Sequence, residues 1–586
     1  MTNTSLIDAD TLLAVDVGAV NTRALLFDSV EGRYRFLAAG NARTTAGAPM
    51  YDTSEGVRFA LDQLREISGR LLVGADERLI APSTDDGAGV DQVATTFSAG
   101  APLKVVGVGL LENVSLESVR HLVQTSYTQM IETIGLNDRR KVEEQVDAIL
   151  RLRPDAIIIS GGTNDGASRS VLKLVNAVGM ALYLLPKSNR PEVLFVGNTD
   201  LTENVTNFLQ PLTTVRVASN VRPDLKVEQI GPAEYELAQM FKHVHTKRIM
   251  GVEELDIWAG GNLMPTSAAF GRIIRFLSSV SDDAVLGVDV GASSTTVAAA
   301  FARKLKLNVY PQMGVGEGLT GILNNSKLDQ VYRWIAPRVP ETYVLDYLYN
   351  KRLYPATLPA TEEDLAIEQA VAREAVRYAL RQSDSSFPKD IERPQAADTI
   401  PWFNFILVGG NVIARAPSLA QSMLMILDAI QPTGVSRVLL DKNALTPALG
   451  AAAVMNSILA VQVLESTNSY VYMGTTICPV GKARPGTPVL QLRVRYDTGQ
   501  EKTYEVNQGT IQLIPLPLGR MAQVQLQPLQ RTDIGWGPGK GGTYPKKIFG
   551  GAFGLVVDAR GRPLELPNKP EERRNTLQKW LFSLQR

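Results

Sequence analysis

The stretch Leu12–Asp28 reads LLAVDVGAVNTRALLFD, in which an apolar run leads to an acid and a glycine, and a second apolar run leads away. The two runs predict a buried β-hairpin, and Gly18 permits the tight turn between its strands. Backbone amides at such a turn can cradle a phosphate, together with the side chains of Asn21 and Thr22. Asp16 stands where a carboxylate can reach a phosphate-bound Mg²⁺. A plain core hairpin has the same pattern, so this stretch alone leaves both interpretations open.

A second copy of the stretch favours the phosphate-binding interpretation. Residues Gly287–Ala300 read GVDVGASSTTVAAA, so the sequence VDVGA of Val15–Ala19 recurs at Val288–Ala292. Such repetition indicates that one supersecondary unit occurs twice. We expect two facing hairpins, each with an acid before a glycine turn, to clamp the phosphates of a nucleotide. Phe405–Asn411, FILVGGN, adds a strand ending in paired glycines, against which a flat ring can lie.

In this order the three motifs resemble the first phosphate, second phosphate and adenosine motifs of the actin, sugar-kinase and heat-shock-chaperone ATPase superfamily. Four further segments make the series similar to the glutamate-mutase-associated MutL family, which shares only a name with the mismatch-repair protein. These segments are Leu103–Leu111 (LKVVGVGLL), Asp155–Gly166 (DAIIISGGTNDG), Val193–Asp200 (VLFVGNTD) and Asn262–Thr266 (NLMPT). The resemblance covers roughly residues 10–460. It implies an α/β fold of the actin-like ATPase type, with two ribonuclease-H-like halves around a nucleotide cleft.

Length and patterning predict how the chain is divided. A chain of 586 residues is expected to hold about two to four domains. We place the first actin-like half, which includes a βαβ region, at residues 1–280, and the second, with the adenosine motif, at 281–464. Apolar and polar residues alternate over Pro488–Gln527, which predicts a β-rich C-terminal domain at 465–586.

The first half is also predicted to contain a parallel sheet. Strands and helices alternate from Asp155 to Ser219, which is typical of βαβ units. Gly161–Gly166 and Gly197–Asp200 follow two successive strands, so both glycine turns are expected at the same sheet edge. They are either ligand loops or tight turns, and the sequence leaves both possibilities open. Before this region, Ser115–Leu136 carries apolar residues at helical spacing and is predicted to be a helix.

The resemblance implies roles for particular residues, with ATP and Mg²⁺ as the cofactors. Asp16 and Asp289 would organise the magnesium-bound triphosphate as metal ligands and catalytic groups, and Asp165 or Glu317 would position the attacking water. The contacts to the nucleotide would come from motif residues, with the last three around the adenosine: Gly18, Asn21, Thr22, Arg23, Gly161, Gly162, Thr163, Gly291, Ser293, Ser294, Thr295, Gly409, Gly410 and Asn411.

Departures from the family pattern predict weak catalysis. The first motif usually offers serine or threonine after its glycine and a lysine later, whereas Ala19, Val20 and Arg23 stand in this chain. The second motif usually ends in an acid, and here it ends in Thr296. Loss of these groups would weaken the handling of magnesium and phosphate. A slow ATPase and a nucleotide-binding protein that hardly turns over both remain open.

The family resemblance also implies a partner. Its members resemble partners of adenosylcobalamin-dependent mutases, so we expect an ATP-driven chaperone or reactivase for an enzyme such as glutamate mutase or an aminomutase. Halves that close on ATP and open after hydrolysis can change the affinity for a partner. The chain has no cobalamin-binding sequence of the DxHxxG type, so the cobalamin is expected on the partner. The alternatives are a sugar or carboxylate kinase of the same fold and a degenerate nucleotide-binding scaffold.

Composition narrows the classes of partner. Sixty basic and sixty acidic residues cancel, so no global field attracts nucleic acid or an anionic membrane. Cys478 is the only cysteine and there are three histidines, which excludes an internal disulfide framework and offers few zinc ligands. Residues 1–11 lack the basic start and apolar core of a signal peptide, and the apolar stretch Leu449–Leu464 is too short and polar to span a bilayer. We therefore expect a cytoplasmic protein without nucleic-acid or membrane partners.

Overall fold

The structure is a computed structural model that describes residues 10–394, 396 and 398–585. The composition of residues 1–11 led to the prediction that there is no signal peptide, and residues 1–9 of this segment lie outside the described residues. Within the described ranges, no helix combines the length and the apolar character that crossing a membrane requires.

Residues 12–281 form two sheets with flanking helices. In chain order the elements are β1 (Leu12–Val17), β2 (Asn21–Val30), β3 (Arg33–Arg43), α1 (Ser54–Ser68), β4 (Gln92–Phe97), β5 (Leu103–Gly109), α2 (Ser115–Val123), β6 (Thr128–Gly135), α3 (Val142–Leu152), β7 (Ala156–Ile159), α4 (Arg169–Leu184), β8 (Glu192–Phe195), α5 (Thr202–Leu209), β9 (Val215–Val217), α6 (Gly231–Arg248), α7 (Val252–Trp258), β10 (Met264–Pro265) and α8 (Thr266–Ser281).

The first sheet is built around the first hairpin. Its strand order is β10-β4-β1-β2-β3, with β1 antiparallel to β2 and parallel to β4. Every residue of β1 is buried, because both faces of the sheet are covered. This burial explains why β1 reads as a continuous apolar run that only Asp16 interrupts.

The predicted βαβ region is confirmed as a second, all-parallel sheet inserted between β4 and β10. Its strand order is β6-β5-β7-β8-β9. The two glycine turns follow β7 and β8 and meet at one edge, where the hydroxyl of Thr199 donates to Asn164 Oδ1 at 3.2 Å. The expectation that both turns share an edge is therefore confirmed.

The helix predicted over Ser115–Leu136 is wrong beyond Val123, where the chain turns into the edge strand β6. The hydroxyl of Thr125 donates to the carbonyl of Leu122 at 2.7 Å, and that of Thr128 donates to the carbonyl of Val123. These hydroxyls satisfy carbonyls at the helix end and compete with further helix. Because β6 is a half-exposed edge strand, its apolar residues do not alternate strictly and mimic helical spacing.

The rest of the chain contains a second half and the C-terminal region. The second half consists of β11 (Val285–Val290), β12 (Ser294–Phe301), β13 (Lys304–Pro311), α9 (Leu319–Asn325), α10 (Leu328–Tyr332), α11 (Glu341–Leu353), α12 (Glu362–Ser383), β14 (Phe405–Gly409), α13 (Asn411–Ala414), α14 (Leu419–Ala429), β15 (Gly434–Leu440), α15 (Leu445–Ala452) and α16 (Ser457–Glu465). The C-terminal region consists of β16 (Val471–Cys478), β17 (Pro488–Tyr496), β18 (Glu501–Asn507), β19 (Ile511–Ile514), β20 (Met521–Pro528), β21 (Gly542–Thr543), β22 (Ile548–Phe549), β23 (Leu555–Asp558) and α17 (Pro570–Ser583).

The second half repeats the topology of the first. Its strand order β13-β12-β11-β14-β15 matches the order β3-β2-β1-β4-β10, and β11 is again antiparallel to its hairpin partner and parallel to its other neighbour. The chain therefore has the α/β fold of the actin-like ATPases, with two ribonuclease-H-like halves that each carry one copy of the repeated hairpin.

Helices α8 and α15 join the two halves. They lie in one apolar core with residues of both first strands, including Leu12, Phe270, Val285 and Leu449. Arg272 Nη1 also donates to the carbonyl of Gly450 at 2.9 Å, which ties α8 to α15. This shared core holds the two hairpins on either side of one cleft.

The C-terminal region contributes to two sheets. Strands β16, β23 and β19 extend the sheet of the second half beyond β15 to eight strands. Strands β17, β18, β20, β21 and β22 form a separate antiparallel sheet. Residues 465–586, which are predicted to form a β-rich domain, are thus rich in strands. Three of these strands belong to the sheet of the second half.

A buried network of charges fastens this region to α12 and α14. Asp428 accepts hydrogen bonds from Arg373 Nε at 2.9 Å and from Arg560 Nη1 at 2.6 Å. Asp558 accepts from Arg560 Nε at 2.8 Å and from Arg562 Nη2 at 2.7 Å. The side chains of all but Arg373 are fully buried. Each charge is stable there because an opposite charge is hydrogen-bonded to it.

A smaller charge cluster on the inserted sheet leads to a pH-dependent prediction. Glu228 accepts from His121 Nδ1 at 2.9 Å and Ser118 Oγ at 2.8 Å, and Arg222 Nη2 lies 3.4 Å away. Burial raises the pKa of Glu228, but His121, Ser118 and Arg222 together outweigh it and lower the pKa to about 2. Because the folded pKa lies below the unfolded one, this stabilisation is complete above the unfolded pKa and is lost as the pH falls toward about 2.

We therefore expect Glu228→Gln to lower the free energy of unfolding by about 1 kcal/mol at neutral pH, allowing for solvent screening of a partly exposed group. The difference from the wild type should shrink steadily as the solution becomes acidic. Urea unfolding at a series of pH values measures it. A difference that is the same at every pH would contradict the assignment of the effect to this carboxylate.

Candidate active site between the two hairpins

A cavity of about 390 Å³ opens between the hairpins β1–β2 and β11–β12. Its walls also include the starts of α8 and α13 and the turn between β15 and α15. Most of the predicted site residues line it: Asp16, Gly18, Asn21, Arg23, Asp289, Gly291, Ser293, Ser294, Gly410 and Asn411. Both copies of the repeated motif thus line the same cleft, which is the arrangement expected if two facing hairpins clamp a ligand between them.

Asp16 is buried near the end of β1 and held on both oxygens. Its Oδ1 accepts hydrogen bonds from Thr96 Oγ1 at 2.7 Å and Thr266 Oγ1 at 3.1 Å. Its Oδ2 lies 3.4 Å from Nη1 of Arg23, which is its partner in the hairpin register. These contacts fix the carboxylate at the cleft wall, where a phosphate-bound Mg²⁺ could be reached directly or through water.

Asp289 occupies the equivalent position on β11. Burial raises the pKa of its carboxyl to about 7; Arg23 opposes the rise, and the charges of Asp441 and Asp16 add to it. A Cβ on Gly409 of the neighbouring strand would lie 2.5 Å from Asp289 Oδ1, so a larger residue there would have to displace this carboxylate. A desolvated carboxylate among other acids gains from a cation beside it, and oxygen ligands of this kind suit Mg²⁺. Among the described residues no three metal-ligating side chains cluster together, so a Mg²⁺ in this cleft would need oxygen ligands from a bound phosphate or from water as well.

The hairpin turns present free backbone amides to the cleft. One hydrogen bond closes each turn, from the amide of Gly18 to the carbonyl of Asn21 at 3.0 Å and from that of Gly291 to that of Ser294 at 2.9 Å. In the described part of the chain, the next two backbone amides of each turn donate no hydrogen bond to another residue. They belong to Ala19 and Val20 in the first turn and to Ala292 and Ser293 in the second, and all four residues line the cleft. Amides in this arrangement favour a phosphate.

Arg23 connects the two walls of the cleft. Besides contacting Asp16, it donates from Nη2 to Oδ1 of Asn411 at 2.8 Å, and its side chain is 14% exposed. Asn411 begins α13 in the second half. The arginine that replaces the usual lysine of the first motif is therefore engaged in a bridge between the halves.

Two cationic side chains on the cleft wall, Arg415 and Lys442, belong to none of the sequence motifs described above. Arg415 follows α13, and burial, reinforced by the charge of Arg23, lowers the pKa of its guanidinium. Lys442 lies in the turn after β15, next to Asp441. The carboxylate of Asp441 accepts a hydrogen bond from the backbone amide of Leu445 at 2.9 Å. Both cations are placed to compensate the charge of a phosphate. Only their position in the folded chain reveals this, because neither has a local sequence signal.

Several predicted contacts do not face the cleft. The hydroxyl of Thr22 is hydrogen-bonded to Thr44 Oγ1 at 2.8 Å, and that of Thr295 donates to the carbonyl of Met313 at 2.6 Å. Both threonines stand one position from a cleft residue on a strand, and side chains alternate between the faces of a sheet. Four further predicted residues follow β7 in the inserted sheet and do not line this cleft: Gly161, Gly162, Thr163 and Asp165.

Glu317 lies behind the hairpin tips, in a second cavity of about 700 Å³ that we call the rear chamber. The rear chamber is lined by residues of segments 46–51, 100–102, 245–249 and 312–320, and it shares Ala19, Tyr127 and Ser293 with the cleft. Burial raises the pKa of Glu317. Its loop reaches this place because the amides of Gly316 and Gly318 both donate to the carbonyl of Ala292 at 2.9 Å.

One family model and several solved structures are similar to this chain. A family model described as MutL protein matches residues 12–467. No curated protein matches the sequence. Among solved structures, the chain is similar to acetone carboxylase in its nucleotide-free form (12% identity, 85% of this chain and 81% of that chain covered, TM-score 0.30). It is also similar to the nucleotide-free diol dehydratase-reactivating factor (11% identity, 78% of this chain and 99% of that chain covered, TM-score 0.28). A third similar structure is Plasmodium falciparum glycerol kinase with ADP (10% identity, 77% of this chain and 91% of that chain covered, TM-score 0.28). Likeness at this level says nothing about activity.

Proposed function

Since the chain belongs to the glutamate-mutase-associated MutL family, we propose that it is an ATP-binding accessory protein, with slow ATP hydrolysis, that reactivates or assembles an adenosylcobalamin-dependent mutase. The observation that carries the nucleotide site is the pair of hairpin turns, which present free amides from opposite walls of one cleft beside Asp16 and Asp289. The mutase partner, which would hold the cobalamin, rests on the family resemblance.

Each part of the cleft has a distinct task in this proposal. Asp16 and Asp289 would hold Mg²⁺ directly or through water, and the ion would neutralise phosphate charge. The turn amides would hold phosphate oxygens, with Arg415 and Lys442 compensating the remaining negative charge. The bare backbone at Gly410 would lie against the adenosine.

Arg23 provides a physical link between nucleotide occupancy and opening of the cleft. It contacts Asp16 in one half and Asn411 in the other, so a phosphate or Mg²⁺ bound between them would change both contacts. A ligand shifts a conformational equilibrium only by its difference in affinity for the two states. Different contacts in the ATP and ADP states would give the closed and open forms different affinities for a mutase.

The same contacts favour slow turnover. Arg23 is engaged in the bridge, and Ala19 and Val20 offer no hydroxyl at the first turn. Thr296 lies opposite Asp289 in the hairpin register, where the family pattern has an acid. Asp165 and Glu317, the candidates for positioning water, lie outside the cleft. We therefore propose that the nucleotide acts chiefly as a switch.

Thermal melting with and without ATP–Mg²⁺ tests the nucleotide site. At about a hundred times its dissociation constant, ATP–Mg²⁺ should stabilise the wild type by about 2.7 kcal/mol. Asp16→Ala and Asp289→Ala should lose this shift, because each removes a cleft carboxylate. Asp165→Ala is the control and should keep it, since Asp165 is exposed on the inserted sheet. A wild type that does not respond would leave the degenerate scaffold as the better hypothesis.

Co-purification tests the partner. Tagged protein loaded with ATP–Mg²⁺ or with ADP–Mg²⁺ should retain different amounts of an adenosylcobalamin-dependent mutase, and Asp16→Ala should remove the difference. Equal retention in both nucleotide states would count against a reactivase. If a metabolite accelerates ATP consumption and a phosphorylated product forms, the protein is a kinase instead.

A further inference from the structure

Residues 124–129 of the inserted sheet are hydrogen-bonded to the second half, although the sheet is inserted in the first half. They lead from the end of α2 into β6 and lie against β13. The backbone amide of Val309 donates to the carbonyl of Gln124 at 2.6 Å, and Gln312 Nε2 donates to Oε1 of Gln129 at 3.1 Å. Because β6 and β13 are both edge strands, the two sheets meet at their edges here.

The end of β13 also holds the second hairpin turn, whose free amides face the cleft. β13 is antiparallel to β12, and Pro311 lies opposite Ser294 in their register. The backbone amide of Gln312 donates to the carbonyl of Ser293 at 3.0 Å. Gln312 therefore bonds the turn with its backbone and the inserted sheet with its side chain. A displacement of residues 124–129 would reach the turn through this one residue.

Tyr127 provides a second contact between the inserted sheet and the turn. Its side chain is 5% exposed and lines the cleft together with Ser293. Burial raises the pKa of its hydroxyl to about 12; the nearby hydroxyl of Ser293 opposes the rise and the charge of Glu317 adds to it. The tyrosine hydroxyl is therefore protonated near pH 7 and can donate a hydrogen bond.

Residues 124–129 have little freedom to move apart from the inserted sheet. β6 is paired with β5 along its length. The backbone amide of Leu103, at the start of β5, donates to the carbonyl of Tyr127 at 3.2 Å. The hydroxyl of Thr125 donates to the carbonyl of Leu122 at the end of α2 at 2.7 Å. The segment thus moves with the inserted sheet, and a shift of that sheet would displace the second turn.

We infer that residues 124–129 position the second hairpin turn for phosphate binding, with Tyr127 and Gln129 as positioning residues. Gln129 acts through Gln312, and Tyr127 acts through Ser293. The position of the inserted sheet and the occupancy of the cleft then affect each other reciprocally. The inserted sheet thereby senses the nucleotide. This inference rests on the proposed nucleotide site.

Calorimetric titration with ADP–Mg²⁺ tests the positioning. Gln129→Leu removes the amide that Gln312 contacts, and Tyr127→Phe removes only the hydroxyl. Each should weaken binding by about two- to tenfold, the range that corresponds to the loss of one hydrogen bond. Gln210→Leu and Tyr183→Phe are the matched controls, because they make the same changes at exposed positions of the inserted sheet. Both controls should bind like the wild type.

A double-mutant cycle separates positioning from a general structural effect. Gln312→Ala removes the other side of the contact with Gln129. If Gln129 acts through Gln312, the double variant should bind ADP–Mg²⁺ about as weakly as the weaker single variant. If the two residues act independently, the two losses of affinity should multiply, and the inference is overturned for Gln129.

Hydrogen exchange measures the reciprocal effect of the nucleotide on the inserted sheet. In the wild type, ADP–Mg²⁺ should slow exchange in residues 124–129 and in β13. In Gln129→Leu at saturating ADP–Mg²⁺, the slowing in residues 124–129 should be lost while that at the hairpin turns remains. Saturation ensures that a weaker affinity does not cause the difference. Exchange in residues 124–129 that ignores the nucleotide in the wild type would overturn the inference.

The outcomes distinguish this inference from the proposed function. If the wild type binds ADP–Mg²⁺ and both Gln129→Leu and Tyr127→Phe bind like their controls, the positioning role is refuted and the proposed nucleotide site stands. If the wild type binds no ADP–Mg²⁺, both are refuted, because there is no bound phosphate for the turn to hold. If Tyr127→Phe does not fold, Gln129→Leu decides the matter.

Discussion

Replacing Asp428 with asparagine is expected to lower the free energy of unfolding by about 3–5 kcal/mol, the usual cost of breaking a buried ion pair. The change leaves Arg373 without its carboxylate and deprives Arg560 of one of its two. Both guanidinium groups stay buried, because α12, α14 and the C-terminal strands enclose them. A neutral amide keeps only one of the two acceptor oxygens and supplies no compensating charge.

Urea unfolding followed by circular dichroism measures this loss, and hydrogen exchange locates it. Exchange should accelerate in α12, in α14 and around β23, the segments that the network joins. Glu565→Gln is the control, because its ion pair with Lys482 at 2.7 Å is exposed on both sides and should contribute little. Equal stability of the two variants would show that the buried network does not hold the C-terminal region in place.

The parts of the fold that the sequence predicts correctly are those with a local signal. The hairpins are visible because a buried strand reads as an apolar run, and an acid before a glycine stands out within it. The repeat adds that Asp16 and Asp289 occupy equivalent positions, which the strand registers bear out. The parallel sheet from Asp155 onward is visible because its strands and helices alternate over short distances.

Other parts depend on contacts that no local pattern records. Strands β16, β23 and β19 extend the sheet beyond β15 in that order, although all three lie far from the adenosine motif in the sequence. Arg415 and Lys442 reach the cleft only because α13 and the turn after β15 end there. Glu317 was expected to act on the nucleotide, but its loop is hydrogen-bonded behind Ala292 and places it in the rear chamber.

Strand alternation could have corrected one part of the site prediction. Arg23 is opposite Asp16 in the hairpin, and both face the cleft. Because side chains alternate along a strand, the neighbouring Thr22 must face the other way. It does so, with its hydroxyl on Thr44. If residues 21–23 are treated as part of a pleated strand, only alternate side chains can contact the phosphates, and Thr22 is not among them.

Gly410→Ala is expected to remove nucleotide binding and to destabilise the second half. Gly410 has φ +97°, and a Cβ there would lie 2.2 Å from the carbonyl oxygen of Val290. The backbone strain costs about 1–3 kcal/mol, and the overlap adds about 1–3 kcal/mol because the atom met is backbone. Relief requires Val290 to move, and Val290 leads directly into the turn at Gly291. The amides of that turn would then leave the positions that face the first hairpin.

Melting curves with and without ATP–Mg²⁺ separate the two effects when Gly499→Ala is measured alongside. Gly499 also has a positive φ of +84°, but no heavy atom lies within 4 Å of the position of its missing Cβ. Its variant should melt slightly lower than the wild type and keep the whole nucleotide-dependent shift. Gly410→Ala should melt lower still and lose that shift. If Gly410→Ala kept it, the second hairpin turn would not be the place where the phosphates bind, because the substitution cannot be accommodated without moving that turn.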